Sequence, residues 1–589
     1  MLYPRLLRLS GADRVWAEKT KIGDGMSNVA GKAYGMNVLT PVPPTVTWVQ
    51  RLIFMAARAF PTTLKGLLGL SLIHFARWVI IKRDQWPEGD RGKPKLKNDY
   101  VLFCSNFNGT WDQYIDAFSD GIPQGLDLFW YASFKYPHSI PISAFKTYIT
   151  HNQFDTGYYY NATPGSAQRD IKAALKVYAE LKSLGAKHAS LDAKSFTLEY
   201  NKALARVQNC LGSPGYAPIA SLDTETAEQN RSKFLGVTDG APGPRPAPRA
   251  NKKSAPSPAT TTFDGGHCFL TLLLPVKTCE VVNSDGMRSS HVYLLREALA
   301  MLPTAHQSKP TEAVPANSPF AGSARTHFAR MAVIDDAIYN GPVPSDTLYA
   351  AARGLVRGTP DGAVIKPVDQ LTSPYLLFSV DCDAGNDGEL RDYLCELWEL
   401  AGPKLAPVLV NCCGFQERVT GCEEFSDYMC DHLLETTMPF NDYWTQNPPF
   451  QSLSFVQLAL VAVAAMLGWG AVGYLIAEQL GLMEQARPVI RFLSIIGLAI
   501  SCLAAGAYAA YLQVILHGRR AFPEAPNSDL KSVLKALYVQ RQLIQFAIVQ
   551  QKPSAPDLFE AFRAFLNRVE LTNLDRPTQK PGTISGVVW

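Results

Sequence analysis

A chain of 589 residues with 47% hydrophobic and 18% charged residues is too long for one ordinary core and too apolar to be disordered. Its net charge of +4 is spread without any Lys/Arg stripe carrying interleaved aromatics, which excludes nucleic acid as a partner. The eleven cysteines are odd in number and contain no CxxC pair, so they read as reduced cytosolic thiols serving as small core hydrophobes.

The N-terminal MLYPRLLRLSGADRVW carries basic residues but no apolar run of signal-peptide length, so secretion is not indicated. A strand follows around Leu39 in MNVLTPV, then a helix over Thr45 to Ala59 and strands over Ile73 to Ile81 and Tyr100 to Phe107. Next come a helix over Trp111 to Ser119, a strand over Leu126 to Ala132 and a closing helix in FKTYITH, Phe145 to His151. A helical insert at 161–235 (IKAALKVYAELKSL, YNKALARVQNCL) leads to a Pro/Ala/Gly/Ser-rich linker at 236–262, which cannot bury a core.

Beyond the linker the order returns. A strand around Leu273 in FLTLLLPV, a helix over His291 to Leu302, strands over His327 to Ile334 and Tyr375 to Val380, a helix over Gly388 to Leu400, a strand over Ala406 to Cys412 and a helix in FSDYMCDH are expected. The residues repeat as well. HFAR occurs at His74 to Arg77 and at His327 to Arg330, LTPV (Leu39 to Val42) answers LLPV (Leu273 to Val276), and YVLF (Tyr100 to Phe103) answers YLLF (Tyr375 to Phe378). The expected fold class is therefore α+β, with two tandem ferredoxin-like βαββαβ units at 1–160 and 263–445. Each such sheet leaves one face bare, so two of them can close a pseudo-dimeric α/β barrel.

Leu453 to Ile476 and Phe492 to Leu516 contain no charged residue, and each has the ~20 apolar residues needed to cross a hydrocarbon core. They predict a transmembrane helical hairpin at 446–520, followed by a helical tail at 521–589. His517, Arg519 and Arg520 follow the second span at once, which with the cysteine usage favours cytoplasmic soluble domains on an integral membrane protein. Val46 to Leu72 offers a further membrane-facing apolar surface.

The duplicated arrangement resembles the dimeric α/β-barrel superfamily and, distantly, its DyP-type haem peroxidases, over about residues 36 to 435. The family's motifs run in order as GVTDG (Gly236 to Gly240), the strand FLTLLLPV, Ala305-His306, Arg330 and YLLF. The resemblance implies haem as cofactor. Asp239 would handle the peroxide proton, His306 would ligate the iron, and Arg330 would stabilise the leaving anion. A second GxxDG, GTPDG, stands at Gly358 to Gly362.

His74 and His327, at equivalent strand starts, are candidates to line one cavity between the sheets. The three-residue spacing puts Arg77 and Arg330 on the opposite face of an ideal strand, where they would pair with helix carboxylates. His151 and His432 on the closing helices are alternative ligands. DCDAGNDGELRD (Asp381 to Asp392) looks like a calcium loop but lacks its spacing and closing Glu, so it reads as a helix N-cap, and no metal site is assigned. No Walker loop, nucleophile elbow, HExxH or dinucleotide fingerprint supports a hydrolase, kinase or dehydrogenase. Two expectations remain. One is a membrane-tethered, haem-dependent peroxidase-like enzyme acting on an apolar or lipid-derived small molecule. The other is a non-catalytic membrane-anchored lipid-binding or scaffold protein.

Overall fold

All nine residues of IHFARWVII and all nine of THFARMAVI are buried, which is what a strand covered on both faces requires. In the computed structural model, which describes residues 28–211, 261–282, 286, 288–303, 318–340, 368–480 and 487–583, these segments are β3 (Ile73–Ile81) and β10 (Thr326–Ile334). The remaining strands are β1 (Val29–Ala30), β2 (Ala33–Val42), β4 (Asp99–Asn108), β5 (Tyr158–Asn161), β6 (Phe263–Asp264), β7 (His267–Pro275), β8 (Glu280–Val282), β9 (Arg288–Ser290), β11 (Tyr375–Asp383) and β12 (Met438–Asn441). Two five-stranded antiparallel sheets result, ordered β1-β2-β4-β3-β12 and β5-β10-β11-β7-β6, and the architecture is mixed α+β.

Two expected strands are helical. Leu126 to Ala132 falls largely in helix Pro123–Phe129, opened by a proline at its first turn, and Ala406 to Cys412 begins inside helix Asp387–Leu409. Short apolar runs carry no period that separates a buried helix from a strand, which is why these two misled. The fourth strands are instead β5 and β12, and each crosses over. β5, which follows the first sheet in the chain, pairs with β10 of the second, and β12 pairs with β3 of the first. The segments leading into them bridge to the sheet they leave, at Val38 with Gln153 and at Leu272 with Leu433, so each crossing stitches both sheets together.

The contacts of the two sheets recur in pairs. Phe154 N donates to Asn37 O as Leu434 N does to Thr271 O, and Gly157 N donates to Met331 O as Thr437 N does to Trp78 O. Asn161 and Asn441 each accept at Oδ1 from the backbone N–H two residues on. The hairpins β1-β2 and β6-β7 turn at Gly31 and Gly265, with φ of 62° and 58°. Those positive angles suit glycine, and a Cβ at Gly31 would lie 2.1 Å from the Pro164 carbonyl oxygen.

The insert and the tail are one layer. Helix Gln168–His188 packs on Leu530–Val549 and helix Ala193–Val207 on Ala555–Val569. Their buried faces form a single apolar cluster that includes Leu181, Phe196, Leu543 and Phe562 and reaches Phe75, Phe269 and Phe328 between the sheets. The amphipathic spacing of these helices is thus satisfied by each other and by one end of the sheet pair. The other end is filled by Trp86, Tyr100, Leu102, Leu273, Tyr375 and their neighbours.

Helices Phe455–Gln479 and Pro488–Gly518 are long and apolar enough to cross a membrane, and they project from this body rather than filling a core. Leu460, Leu467, Ile500 and Leu503 are all exposed. The hairpin is rooted at the end of helix Thr47–Ala59. Leu453 N donates to Ala59 O at 2.8 Å, Phe60 stacks on Phe455, and the fully buried Arg58 donates to Gly518 O at 2.7 Å and Arg520 O at 2.9 Å.

Candidate functional site

The polar interior between the sheets begins with two arginines. Arg77 reaches from the first sheet to the second and donates to the carbonyls of Leu270 and Val380, to Thr271 Oγ1 and to the Asp381 carboxylate. Arg330 reaches the other way, to the carbonyls of Met36 and Ser105, to Asn37 Oδ1 and to Asn106 Oδ1. These acceptors correspond, since Met36 stands opposite Ser105 in the first sheet as Leu270 stands opposite Val380 in the second. Asn106 also donates to Asp381 at 2.8 Å and accepts from Tyr159. Burial removes water from both guanidiniums, and the cross-sheet acceptors replace it.

Each HFAR histidine sits at a β-bulge, where the register slips between Ile73 and Phe75 and between Thr326 and Phe328. The extra residue changes the alternation of faces. His74, Phe75 and Arg77 all meet the second sheet, so the expected separation of His and Arg onto opposite faces does not hold. Nor do the arginines pair with helix carboxylates: Asp381 lies on β11.

His74 donates or accepts at Nδ1 with Tyr443 Oη, 3.0 Å away, while Nε2 makes no hydrogen bond. Burial pushes its pKa down to about 3, with Asn108 opposing and His327 assisting, so the ring is neutral. His327 goes elsewhere. Its Nε2 lies 2.8 Å from Asp383 Oδ1, and the same oxygen lies 2.9 Å from His267 Nδ1. Burial alone would raise the Asp383 pKa, but His327 and the bonds from both imidazoles outweigh it and hold the carboxyl below its usual range. His267 Nε2 faces Ser528 Oγ at 3.2 Å, and Asp383 Oδ2 accepts from Leu530 N at the start of helix Leu530–Val549.

A second polar feature opens where the chain leaves the sheets for the apolar hairpin. An open crevice of about 760 Å³ is lined by Lys172, Lys176, Asp442, Trp444, Phe450 and Ser452, among others. Lys172 pairs with the buried Asp442 at 2.8 Å, and Gln168 donates to the same carboxylate. Burial nevertheless pushes Asp442 up to about 6, against the lowering effect of Lys172 and Gln168. Lys176 is exposed and has no acidic partner among the described residues. Trp444, Phe450 and Phe522 form an aromatic row, so the wall joins the approach to one long helix with the exit of the other.

Of the expected site residues, Arg330 is the one described, and its guanidinium is held by the opposite sheet. Asp239, most of the 236–262 linker, His306 and the GTPDG segment lie outside the described residues. His151 is exposed, and His432 Nδ1 lies 2.7 Å from Tyr428 O; neither joins the interior group. Asn386 does cap helix Asp387–Leu409, as read, and none of the eleven cysteines is in a disulfide. Sequence reasoning missed His267, Ser528, Lys172 and Asp442, and met Asp383 only as part of a calcium-like loop that it set aside. The β10/β11 register brings His327 to Asp383, and only the knowledge of that register would have joined the last residue of DCD to a histidine. Compared with known proteins, the chain matches no family model, no curated protein and no solved structure.

Proposed function

We propose that this is a membrane-anchored lipid-binding protein whose crevice takes an anionic lipid headgroup. The observation that carries the reading is the meeting of Lys172 and Lys176 with the Trp444–Phe450 wall beside the root of the apolar hairpin. Cations suit a phosphate or carboxylate, and aromatic faces suit the glycerol and upper acyl region at a bilayer surface. Two long helices with exposed leucines and isoleucines need an apolar surrounding, and lipid supplies it. A haem-peroxidase activity has less support, because Arg330 is occupied by four acceptors of the opposite sheet.

The body that holds the crevice is, on this reading, a duplicated ferredoxin-like unit with its last strands exchanged, in the manner of a dimeric α/β barrel contained in one chain. The reciprocal acceptors of Arg77 and Arg330 and the matched backbone bonds of the two crossing segments favour it. The helix pairs extend the duplication. Ile171, Leu181, Phe196 and Val207 have buried apolar counterparts, equally placed in their helices, in Val533, Leu543, Leu558 and Val569. The hairpin is then an insertion between the last strand and the helix pair of the second copy.

The test uses the full-length protein in neutral detergent, titrated by calorimetry with a short-chain phosphatidylglycerol and with the matching phosphatidylcholine. Basic residues near an anionic surface contribute roughly 1 kcal/mol each, so the anionic lipid should bind about tenfold tighter or more. The double variant Lys172→Ala/Lys176→Ala should erase that preference. Equal affinity for both lipids, or a preference that survives the double variant, refutes the assignment.

A further inference from the structure

His267 opens β7, His327 bulges from β10 and Asp383 ends β11, so three different strands bring two imidazole nitrogens and a carboxylate oxygen to one point. The three atoms lie within 4.8 Å of one another, and the two N···O separations are 2.9 and 2.8 Å. Ligand atoms on adjacent corners of an ion with bonds of about 2.0–2.2 Å stand about 3 Å apart, so these separations fit. We propose that His267, His327 and Asp383 form a two-histidine, one-carboxylate centre for a divalent transition-metal ion of the zinc or iron(II) class. This inference is independent of the lipid-binding reading; only the comparison of the two halves below rests on the duplication proposed above.

Several features around the three ligands favour an ion. Ser528 Oγ faces the far nitrogen of His267 and accepts its N–H when Nδ1 coordinates, which is the outer hydrogen bond that metal-bound imidazoles make. Leu530 N holds the other carboxylate oxygen, and Arg325 holds the Asp383 main-chain carbonyl, so the carboxylate is oriented before any ion arrives. Phe75 lies against both imidazole rings, with centroids 5.2 and 5.0 Å away, and dries the inner side. Asp383 keeps 16% of its side chain exposed, which leaves an outer side for entry and for water ligands. The Glu524 carboxylate packs by Gly266 and acts electrostatically on both His267 and Asp383, adding a further acid close by.

The other half of the molecule supplies a comparison. At the corresponding places stand Ala33, paired with Asn108 as His267 is with Asp383, and His74, at the bulge equivalent to His327. One half therefore has the full ligand set, and the other has one histidine, an amide and a methyl group. A bonded network that only filled the space between the sheets would not call for two imidazoles and an anion at one of two equivalent positions. Imidazole and carboxylate together also select the class of ion, since thiolate-seeking and all-oxygen cations prefer other donors.

The full-length protein in detergent would be stripped with chelator, dialysed against zinc or cobalt(II), and read by elemental analysis, visible absorption and melting temperature. One equivalent of metal is expected, with weak cobalt d–d bands, no intense thiolate band and a zinc-dependent rise in melting temperature. Asp383→Asn keeps an acceptor for both imidazoles but turns an amide NH2 toward Leu530 N, so its metal-free melting temperature should fall somewhat, its zinc-dependent rise should shrink, and its affinity for zinc should fall at least about tenfold. Ser528→Ala, which removes the hydroxyl facing His267 Nε2 and leaves all three ligands in place, should weaken binding about tenfold. Failure of the wild type to take up stoichiometric metal, a thiolate band on cobalt, or uptake undiminished in Asp383→Asn overturns the proposal.

Discussion

Asp442 shows how one buried carboxylate can set the behaviour of a surface crevice. Burial raises its pKa to about 6, even though Lys172 and Gln168 bond the charged form. Because the folded value lies above the unfolded one, the folded chain binds the proton more tightly, and this group's contribution to stability declines as pH rises from about 4 to 6. The consequence for binding runs the same way. Below about pH 6 the neutral carboxyl no longer holds Lys172, and the crevice gains one positive charge. Affinity for an anionic lipid should therefore rise as pH falls from 7.5 to 5. Asp442→Asn should bind at pH 7.5 about as tightly as the wild type does at pH 5, with a flat profile. A profile that stays steep in Asp442→Asn would assign the titration to another group.

At the scale of elements, the strands that were legible are those with long, fully buried β-branched runs. Ile73 to Ile81 was read at its observed bounds, as was His327 to Ile334 to within one residue. YYYN and MPFN are only four residues each, too short to announce themselves, and their exchange between sheets depends on partners far away in the chain. The bulges were equally hidden, because a bulge is a property of pairing rather than of composition, and they reversed the expected facing of His74 and Arg77. The meeting of His267 and His327 with Asp383 stayed hidden for the same reason. Arg58, inside a helix that was read correctly, turned out to be the joint between elements. It makes a bidentate pair with the buried Asp264 at 3.2 and 2.8 Å, caps carbonyls at the end of the second long helix and stacks on Phe522 at 4.5 Å. Arg58→Ala would leave Asp264 buried without its counter-charge, and such a loss costs about 3–5 kcal/mol. Chemical denaturation in detergent should show that loss, and a change below about 1 kcal/mol would mean the joint is not held by this residue.

At the scale of the whole molecule, the hairpin's length sets how the body would meet a bilayer if, as proposed, the two helices span one. Helix Phe455–Gln479 has 25 residues and helix Pro488–Gly518 has 31, so at 1.5 Å per residue they run about 37 and about 46 Å. A hydrocarbon core of about 30 Å covers the shorter helix with a slight excess and leaves about ten residues of the longer one outside it. Trp48 of helix Thr47–Ala59 meets Tyr511, which stacks with Tyr508, roughly where that excess begins. Trp and Tyr favour the headgroup level, so on the proposed membrane-anchored reading this cluster would lie at the bilayer surface, with the root of the hairpin above it. The two ends of the hairpin come back to neighbouring points, since Ala59 holds Leu453 and Arg58 holds Gly518. Packed helices lie about 8–10 Å apart, a gap that about six Gly/Ser residues span easily. Replacing residues 456–517 with such a linker keeps both anchoring contacts, so the body should remain folded, leave washed membranes and unfold in one cooperative transition. Retention of the folded, linker-bearing protein on those membranes would mean that another surface, such as that of Val46 to Leu72, holds the bilayer independently.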